Sequence, residues 1–554
     1  MKEFSILIGG KAGDGVRRAG NLIGRIFNRA GVYVFVHDDY PSLIRGGHNF
    51  SVIRVSEKRV YSYHNELDVI IALDSETVKK HQNKLKPKGK LIYDEKLGEK
   101  VKNGLAVPLS SMVEEIKGIP IMRNTVALGV LCHLFKIPIE LVGHVMNEVY
   151  GEKAEPNIKL LRMGHEYAEK NFDRIKEIEV KKGDKCLITG NETIALGAVK
   201  AGLKLYIAYP MTPATSILHF LTNHRNDLDL RVVQPENEIS VIIMALGAAY
   251  AGTRTMIASS GGGFALMQEG VSLSGMSETP LVVVESQRAG PSSGVPTYTA
   301  QADLRFVLHS GHGDFPRIVL APSDIEEAYY KAGEALNLAW KFQVPVLILA
   351  DKTLSESAMN VKLNENEVKY EKEKIAVPSK DYKRYKFTND GISPLSFPGD
   401  KSIVKVTSYE HDEFGITTEE PEQIKKMQEK RFMKIKAMID DLKKRKTVDV
   451  YGKGKNLVIT WGSSKGAVID AVNMLDKDVK VLSIIYLEPF PTWEVLPLIR
   501  EARKVVCVEG NITGQLAGLV REKTGFEIKD KILRYDSRPF DPVELANDLK
   551  KVFK

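Results

Sequence analysis

The chain has 554 residues, 43% of them hydrophobic and 27% charged, with a formal net charge of +8 at pH 7. That length exceeds a single core and implies three or more domains, and the composition is that of an ordinary globular protein, not of a disordered, collagen-like or repeat chain. No apolar run approaches the roughly 20 residues of a membrane span, and no signal peptide opens the chain, so a cytoplasmic protein is expected.

Taken in chain order, residues 1–175 form a first α/β unit. Its strand-like runs are Phe4 to Ile8, Val32 to Val36, Phe50 to Val55, Val69 to Leu73 and Lys90 to Tyr93, separated by helical patterns. The first run leads into Gly9-Gly10-Lys11-Ala12-Gly13-Asp14-Gly15, a loop able to offer backbone N–H groups to a phosphate at a helix start. With Asp38 and Asp39 after the next strand, a dinucleotide site comes into question, but the third glycine position of that fingerprint holds Arg18. A charged stretch from Ala168 to Asp184 reads as a linker.

A second unit spans 185–351, with buried strands Leu203 to Ala208, Thr255 to Ser259, Leu281 to Val284, Ile318 to Ala321 and Val344 to Ala350. Their alternation with helices predicts a parallel, doubly wound sheet. Within it, Tyr209-Pro210-Met211-Thr212-Pro213 forms a stiff strand-to-helix corner, because two prolines fix φ and remove two donors. Thr212 stands where the carboxyl end of a parallel strand usually meets a ligand. Glu236 and Glu238 then open an apolar helix from Ile239 to Ala251. Plain scaffolding accounts for the corner and the acids equally well, since prolines begin helices and acids suit their N-termini.

Residues 352–450 are less regular and end in a long charged helix from Glu422 to about Lys446. They read as a connector or a dimer element. The basic residues concentrated from Lys425-Lys426 through Lys443-Lys444-Arg445-Lys446 are expected on a solvated face, and no nucleic-acid recognition module accompanies them. A third α/β unit covers 455–554, with strands Leu457 to Thr460, Val479 to Ile484 and Lys504 to Val508. Cys132, Cys186 and Cys507 are scattered, which excludes a disulfide framework or the four thiolates of an iron–sulfur cluster on this chain.

Four blocks in one order carry a resemblance. Tyr209-Pro210-Met211-Thr212-Pro213 is followed by Gln234-Pro235-Glu236-Asn237-Glu238, by Ser259-Ser260-Gly261-Gly262-Gly263-Phe264, and by Gln287-Arg288-Ala289-Gly290-Pro291-Ser292-Ser293-Gly294-Val295-Pro296-Thr297. Together they resemble the thiamine-diphosphate-dependent 2-oxoacid:ferredoxin oxidoreductases, in the subunit that holds the cofactor's aminopyrimidine ring. The resemblance covers nearly the whole chain. It implies three doubly wound α/β domains: a gamma-type domain, a pyrimidine-binding domain and a transketolase-C-like domain, the chain being an alpha subunit with a fused N-terminal gamma domain. Glu509-Gly510-Asn511-Ile512-Thr513-Gly514-Gln515-Leu516 resembles a stretch of the family's last domain.

The resemblance also implies roles. Counted from Gly247-Ala248-Ala249, the family's cofactor-activating glutamate falls on Glu238, with Glu236 as the fallback. A carboxyl group in an apolar setting can share a proton with a ring nitrogen, because desolvation raises its pKa. Thr212 would bond cofactor or substrate, Tyr209 and Pro210 would frame the ring, and Gly261 would let backbone approach it. Arg288, a planar fork of donors at a strand's carboxyl end, suits the carboxylate of a 2-oxoacid, and Thr297 falls in the substrate pocket. Tyr40 to Asn49 resembles a gamma-domain loop near the catalytic centre, so Arg45 would touch substrate or coenzyme A. Tyr298, Ala300 and Gly262 depart from the usual family pattern, the first two leaving substrate identity open.

No Gly-Asp-Gly motif with a downstream metal-binding asparagine is present, and the resemblance implies a beta subunit that brings the diphosphate site, Mg²⁺ and a [4Fe–4S] cluster, in an (αβ)₂ assembly that passes electrons to ferredoxin. The net positive charge suits steering of an acidic carrier. The implied reaction is oxidative decarboxylation of a 2-oxoacid to an acyl-CoA, with 2-oxoglutarate the first choice and pyruvate next. Indolepyruvate or another aryl-2-oxoacid is the alternative substrate class, and a non-catalytic scaffold is the alternative outside enzymes.

Overall fold

The computed structural model describes residues 3–43, 46–97, 101–475 and 478–554, and the chain divides into two compact units. The first comprises residues up to Thr189 together with Ser357–Lys362 and Asp541–Leu545; the second comprises the remainder.

The first unit is built on an eight-stranded sheet. Its spatial order is Gly104–Val107, Leu85–Asp94, Leu67–Ala72, Glu3–Lys11, His48–Ser56, Tyr33–Asp39, Ala358–Val361 and Cys186–Thr189. The first four strands run parallel; from Glu3–Lys11 onward each neighbouring pair is antiparallel, so the sheet is mixed. Glu3–Lys11 is buried along Phe4 to Gly10, as a central strand covered on both faces should be. Helix Arg123–Phe135 is buried from Thr125 to Phe135 and crosses helix Ala154–Asn171 at backbone contact. Glycine permits this: a Cβ on Gly129 would lie 2.1 Å from the Leu161 carbonyl oxygen, and one on Gly164 would lie 2.2 Å from that of Val126.

Strand Ala358–Val361 joins this sheet from far along the chain, and a buried amide fixes its place. The Asn360 side chain accepts from Val34 N at 2.9 Å and donates to Val32 O at 2.7 Å. In the stretch read as a linker, helix Ala154–Asn171 runs on to Asn171 before the chain extends toward Cys186.

The second unit holds two sheets over a shared apolar core. The seven-stranded sheet has the order Tyr486–Glu488, Ile318–Leu320, Pro345–Asp351, Leu281–Gln287, Thr255–Ser259, Leu205–Ile207 and Arg231–Val233, parallel apart from the antiparallel edge strand Tyr486–Glu488. The five-stranded sheet runs Val448–Tyr451, Val479–Ile484, Asn456–Trp461, Lys504–Glu509 and Asp530–Leu533, antiparallel only at Val448–Tyr451. The expected α/β class with three sheets is therefore present. Among the described residues, no helix is long and apolar enough to cross a membrane.

The long charged helix, Pro421–Leu442, is where expectation and structure part. Its basic residues do not form one solvated face: Lys430, Arg431 and Lys434 are buried. Glu278, itself buried, accepts from Lys430 Nζ at 2.8 Å and pairs with Lys434 Nζ at 2.6 Å. Burial alone would raise the Glu278 carboxyl, but the charges of Lys430, Lys434 and Arg384 outweigh it and hold the group far below the usual carboxylate range. Charge patterning along a helix records polarity but not whether a partner acid lies on another element.

Candidate active site

The corner after strand Leu205–Ile207 is held from beneath. Asn191, buried in helix Gly190–Lys200, donates through Nδ2 to the Pro213 carbonyl at 2.8 Å and to Ser216 Oγ at 2.7 Å. The Thr212–Pro213 peptide is cis, and helix Thr215–His224 begins two residues later. Tyr209 is exposed at the rim, whereas Pro210, Met211 and Thr212 are half-buried.

Glu238 is the first residue of helix Glu238–Tyr250 and is buried. The preceding Asn237 caps that helix, its side-chain oxygen accepting from Ser240 N at 3.0 Å. Local capping is thus done by Asn237, which frees Glu238 from that task. Glu238 Oε1 has no hydrogen-bond partner among the described residues. The space against it is kept by Gly263, where a Cβ would lie 2.4 Å from Glu238 Oε1 and 2.1 Å from Ser259 Oγ. Glu236 is exposed and accepts from the Ser240 hydroxyl, which holds its pKa below the ordinary value. The two acids have separated as environment dictates: one bonded at the surface, one buried and unsatisfied.

Arg288 follows strand Leu281–Gln287 and reaches the corner, one terminal nitrogen donating to the Thr212 carbonyl at 3.0 Å. Its Nε is buried without a partner. Burial draws the guanidinium below its ordinary pKa, and Glu285 opposes that. Ser259 Oγ donates to Met211 Sδ at 3.7 Å, so the corner touches both the Arg288 side and the Glu238 side. Gly261 starts a short helix after Ser260, whose buried Oγ is also unpartnered; a Cβ on Gly261 would lie 2.9 Å from Asp303 Oδ2. Thr297 is buried with its hydroxyl unpartnered, in a loop closed by the Ala289–Val295 bridge and by Ala289 N donating to Tyr298 O at 3.1 Å. No direct bond joins Thr297 to Thr212, Glu238 or Arg288 among the described residues. Arg45 lies outside the described residues.

Several groups here escaped sequence reasoning. Glu285 is fully buried with both carboxylate oxygens unpartnered. Burial, then the charges of Asp303 and Asp351, raise its pKa well above the ordinary value, and burial pushes Asp303 to about 6. Gln301 ties the loop to the five-stranded sheet, donating to Trp461 O at 2.9 Å and accepting from Gly510 N at 2.8 Å and Ser464 Oγ at 2.6 Å. Glu509 accepts from Leu516 N at 2.8 Å and Ala517 N at 3.1 Å, so the last family-like stretch fastens a helix start. In sequence, Glu285 is only a polar end to an apolar run, and Asp303 and Gln301 lie outside any recognisable motif.

The raised Glu285 carboxyl has a consequence for stability. Its unfolded pKa is about 4.3, so as pH rises above that the unfolded chain loses a proton that the folded chain keeps, and stability falls until the folded pKa is passed. Glu285→Gln removes that loss. The difference in unfolding midpoint, variant minus wild type, is expected to be larger at pH 8 than at pH 5; a constant difference in thermal scans contradicts it.

The family model described as pyruvate flavodoxin/ferredoxin oxidoreductase, thiamine diP-binding, matches residues 196–430, and that of pyruvate ferredoxin/flavodoxin oxidoreductase matches residues 5–167. The 2-oxoacid:ferredoxin oxidoreductase subunit alpha of Sulfolobus sp is 33% identical over 629 residues, spanning 100% of this chain and 97% of that protein. The 2-oxoglutarate synthase subunit KorA of Methanocaldococcus jannaschii is 34% identical over 337 residues, spanning 59% of this chain and 88% of that one. Among solved structures, 2-oxoglutarate:ferredoxin oxidoreductase from Magnetococcus marinus, with 2-oxoglutarate, coenzyme A and succinyl-CoA bound, superposes with a TM-score of 0.93 at 31% identity, covering 100% of both chains. Relatives matched along its full length, together with the two family models, make this chain a member of the 2-oxoacid:ferredoxin oxidoreductase family, as an alpha subunit.

Proposed function

We propose that this subunit holds the aminopyrimidine ring of thiamine diphosphate with Glu238 and receives the carboxylate of 2-oxoglutarate on Arg288. The observation that carries the reading is the unpartnered Oε1 of buried Glu238 beside Gly263. A buried carboxyl oxygen without a partner costs about 1–3 kcal/mol, and a ring nitrogen is a group that would satisfy it. Gly263 lets the Glu238 carboxyl pack against its backbone where a Cβ would collide with Oε1, and the unpartnered Ser260 hydroxyl offers a second polar group nearby in the chain. When bound, the cofactor would supply carbanion chemistry toward a 2-oxoacid. Glu238 holds the shared proton at Oε1, while Thr212 presents its carbonyl to Arg288 and so fixes the guanidinium. With one terminal nitrogen anchored, the unpartnered Nε is a donor for substrate oxygens. Thr297 brings an unsatisfied hydroxyl to the same end of the sheet.

The 2-oxoglutarate choice rests on the names of the Methanocaldococcus and Magnetococcus proteins, as does coenzyme A as acyl acceptor on that of the latter. Helix Glu238–Tyr250 presents Ile239 at 52% exposure, Ile243 at 44% and Met244 at 43%, an apolar patch that a beta subunit would cover. That subunit would bring the diphosphate site, Mg²⁺ and the [4Fe–4S] cluster, in a cytoplasmic (αβ)₂ complex that reduces ferredoxin. In domain terms, 1–175 serves as the gamma-type module, 185–351 as the pyrimidine-binding domain, 352–450 as the connector and 455–554 as the transketolase-C-like domain.

A substrate panel on the reconstituted complex, read by viologen reduction, tests the reading. The highest kcat/KM is expected for 2-oxoglutarate over pyruvate and indolepyruvate, and a preference for either of the others overturns the substrate. In the same assay Arg288→Ala is expected to raise the KM for the 2-oxoacid at least tenfold, matching a lost charge-assisted contact of about 1.5–3 kcal/mol, with little change in that for coenzyme A. Equal effects on both contradict the carboxylate contact.

A further inference from the structure

The first unit contains a cavity of about 580 Å³, lined by none of the residues discussed above as catalytic. It opens between helix Val16–Arg29, the turn around Ile119 and Ile121, and the start of helix Ala154–Asn171. Its size falls in the range of about 300–1,000 Å³ common for small-molecule sites.

The chemistry of its wall is one-sided. Leu22, Ile23, Ile116, Met122 and Leu128 supply hydrocarbon. The polar side chains that reach it are already satisfied within the protein: Thr125 Oγ1 donates to Asn157 Oδ1 at 3.0 Å, Asn157 Nδ2 donates to Lys153 O at 3.0 Å, and Asn124 Nδ2 donates to Asp14 O at 2.6 Å. An occupant with many polar atoms along its length would find few free partners. None of the lining residues is acidic, whereas Arg18, Lys117 and Lys153 all line it. Among the described residues none of these three cations is in an ion pair, and Arg18 is held over the Tyr150 ring, 4.5 Å from its centroid.

We infer that this cavity is a binding site for an amphipathic anion, an aliphatic body carrying a carboxylate head, with the body against the apolar wall and the head toward Arg18 and Lys153. Apolar burial supplies affinity and the three unpaired cations supply selection for negative charge. The residues that line the cavity belong to the first unit, and Arg288 belongs to the second.

The test uses the full-length chain with decanoate as probe, titrated calorimetrically, and with decylamine and succinate as controls. Decanoate is expected to bind saturably, decylamine and succinate at least tenfold more weakly, because one has the wrong head and the other no aliphatic body. Arg18→Glu combined with Lys153→Glu changes two exposed side chains, so folding is retained, and should weaken decanoate at least tenfold. Ala19→Trp should block the cavity outright, with a circular dichroism spectrum as the check on its fold. Absence of saturable decanoate binding to wild type overturns the inference, as does equal binding of decylamine, or undiminished binding to the double charge variant.

Discussion

Glu238→Gln in the reconstituted complex is expected to lower kcat about a thousandfold while subunit assembly survives. The magnitude is that of a lost, well-placed proton-transfer group, about 10²–10⁴. Glutamine keeps the volume and polarity of the buried site but cannot hold a proton that moves. Because Asn237, not Glu238, caps the helix, the substitution leaves the helix start intact. Glu236→Gln supplies the contrast: that acid is exposed and bonded to Ser240, and near-wild-type turnover is expected. Steady-state viologen reduction with size-exclusion chromatography checks both, and wild-type-like turnover for Glu238→Gln refutes the role.

The second large effect concerns stability. Glu278→Leu strands Lys430 and Lys434, both buried, without their carboxylate, and a broken buried pair costs about 3–5 kcal/mol. Since a well-packed apolar substitute for buried paired charges is often neutral, Glu278→Leu with Lys430→Leu and Lys434→Leu, which leaves Arg384 in place, is expected to recover part of the lost midpoint. Thermal scans followed by circular dichroism decide it. A single variant as stable as wild type contradicts the burial of these charges, and a triple variant no better than the single one contradicts the pairing as the cause.

Much of this was legible in the chain itself. Runs such as Leu281 to Val284 and Val344 to Ala350 are so uniformly apolar that only a strand covered on both faces suits them. The Thr212 corner and the Glu238 helix start could be placed because proline and a polar residue before an apolar run act locally. What stayed hidden depends on long-range pairing. Ala358–Val361 and Tyr486–Glu488 are short, and their sheets are set by partners more than a hundred residues away in sequence, such as Val36 and Leu320. The burial of Lys430 and Lys434 was invisible because their acid, Glu278, lies on another element. Glu285 was missed for a related reason: nothing in a one-dimensional pattern says that a carboxyl within a buried strand has been left without a donor.

Proton–deuterium exchange at the thiazolium carbon of thiamine diphosphate, measured on the loaded complex by rapid acid quench and NMR, tests the assignment of Glu238 most directly. Exchange is expected to be fast in wild type and slower by about two orders of magnitude or more in Glu238→Gln at equal cofactor occupancy. Exchange at the same rate in both proteins would show that some other group activates the cofactor.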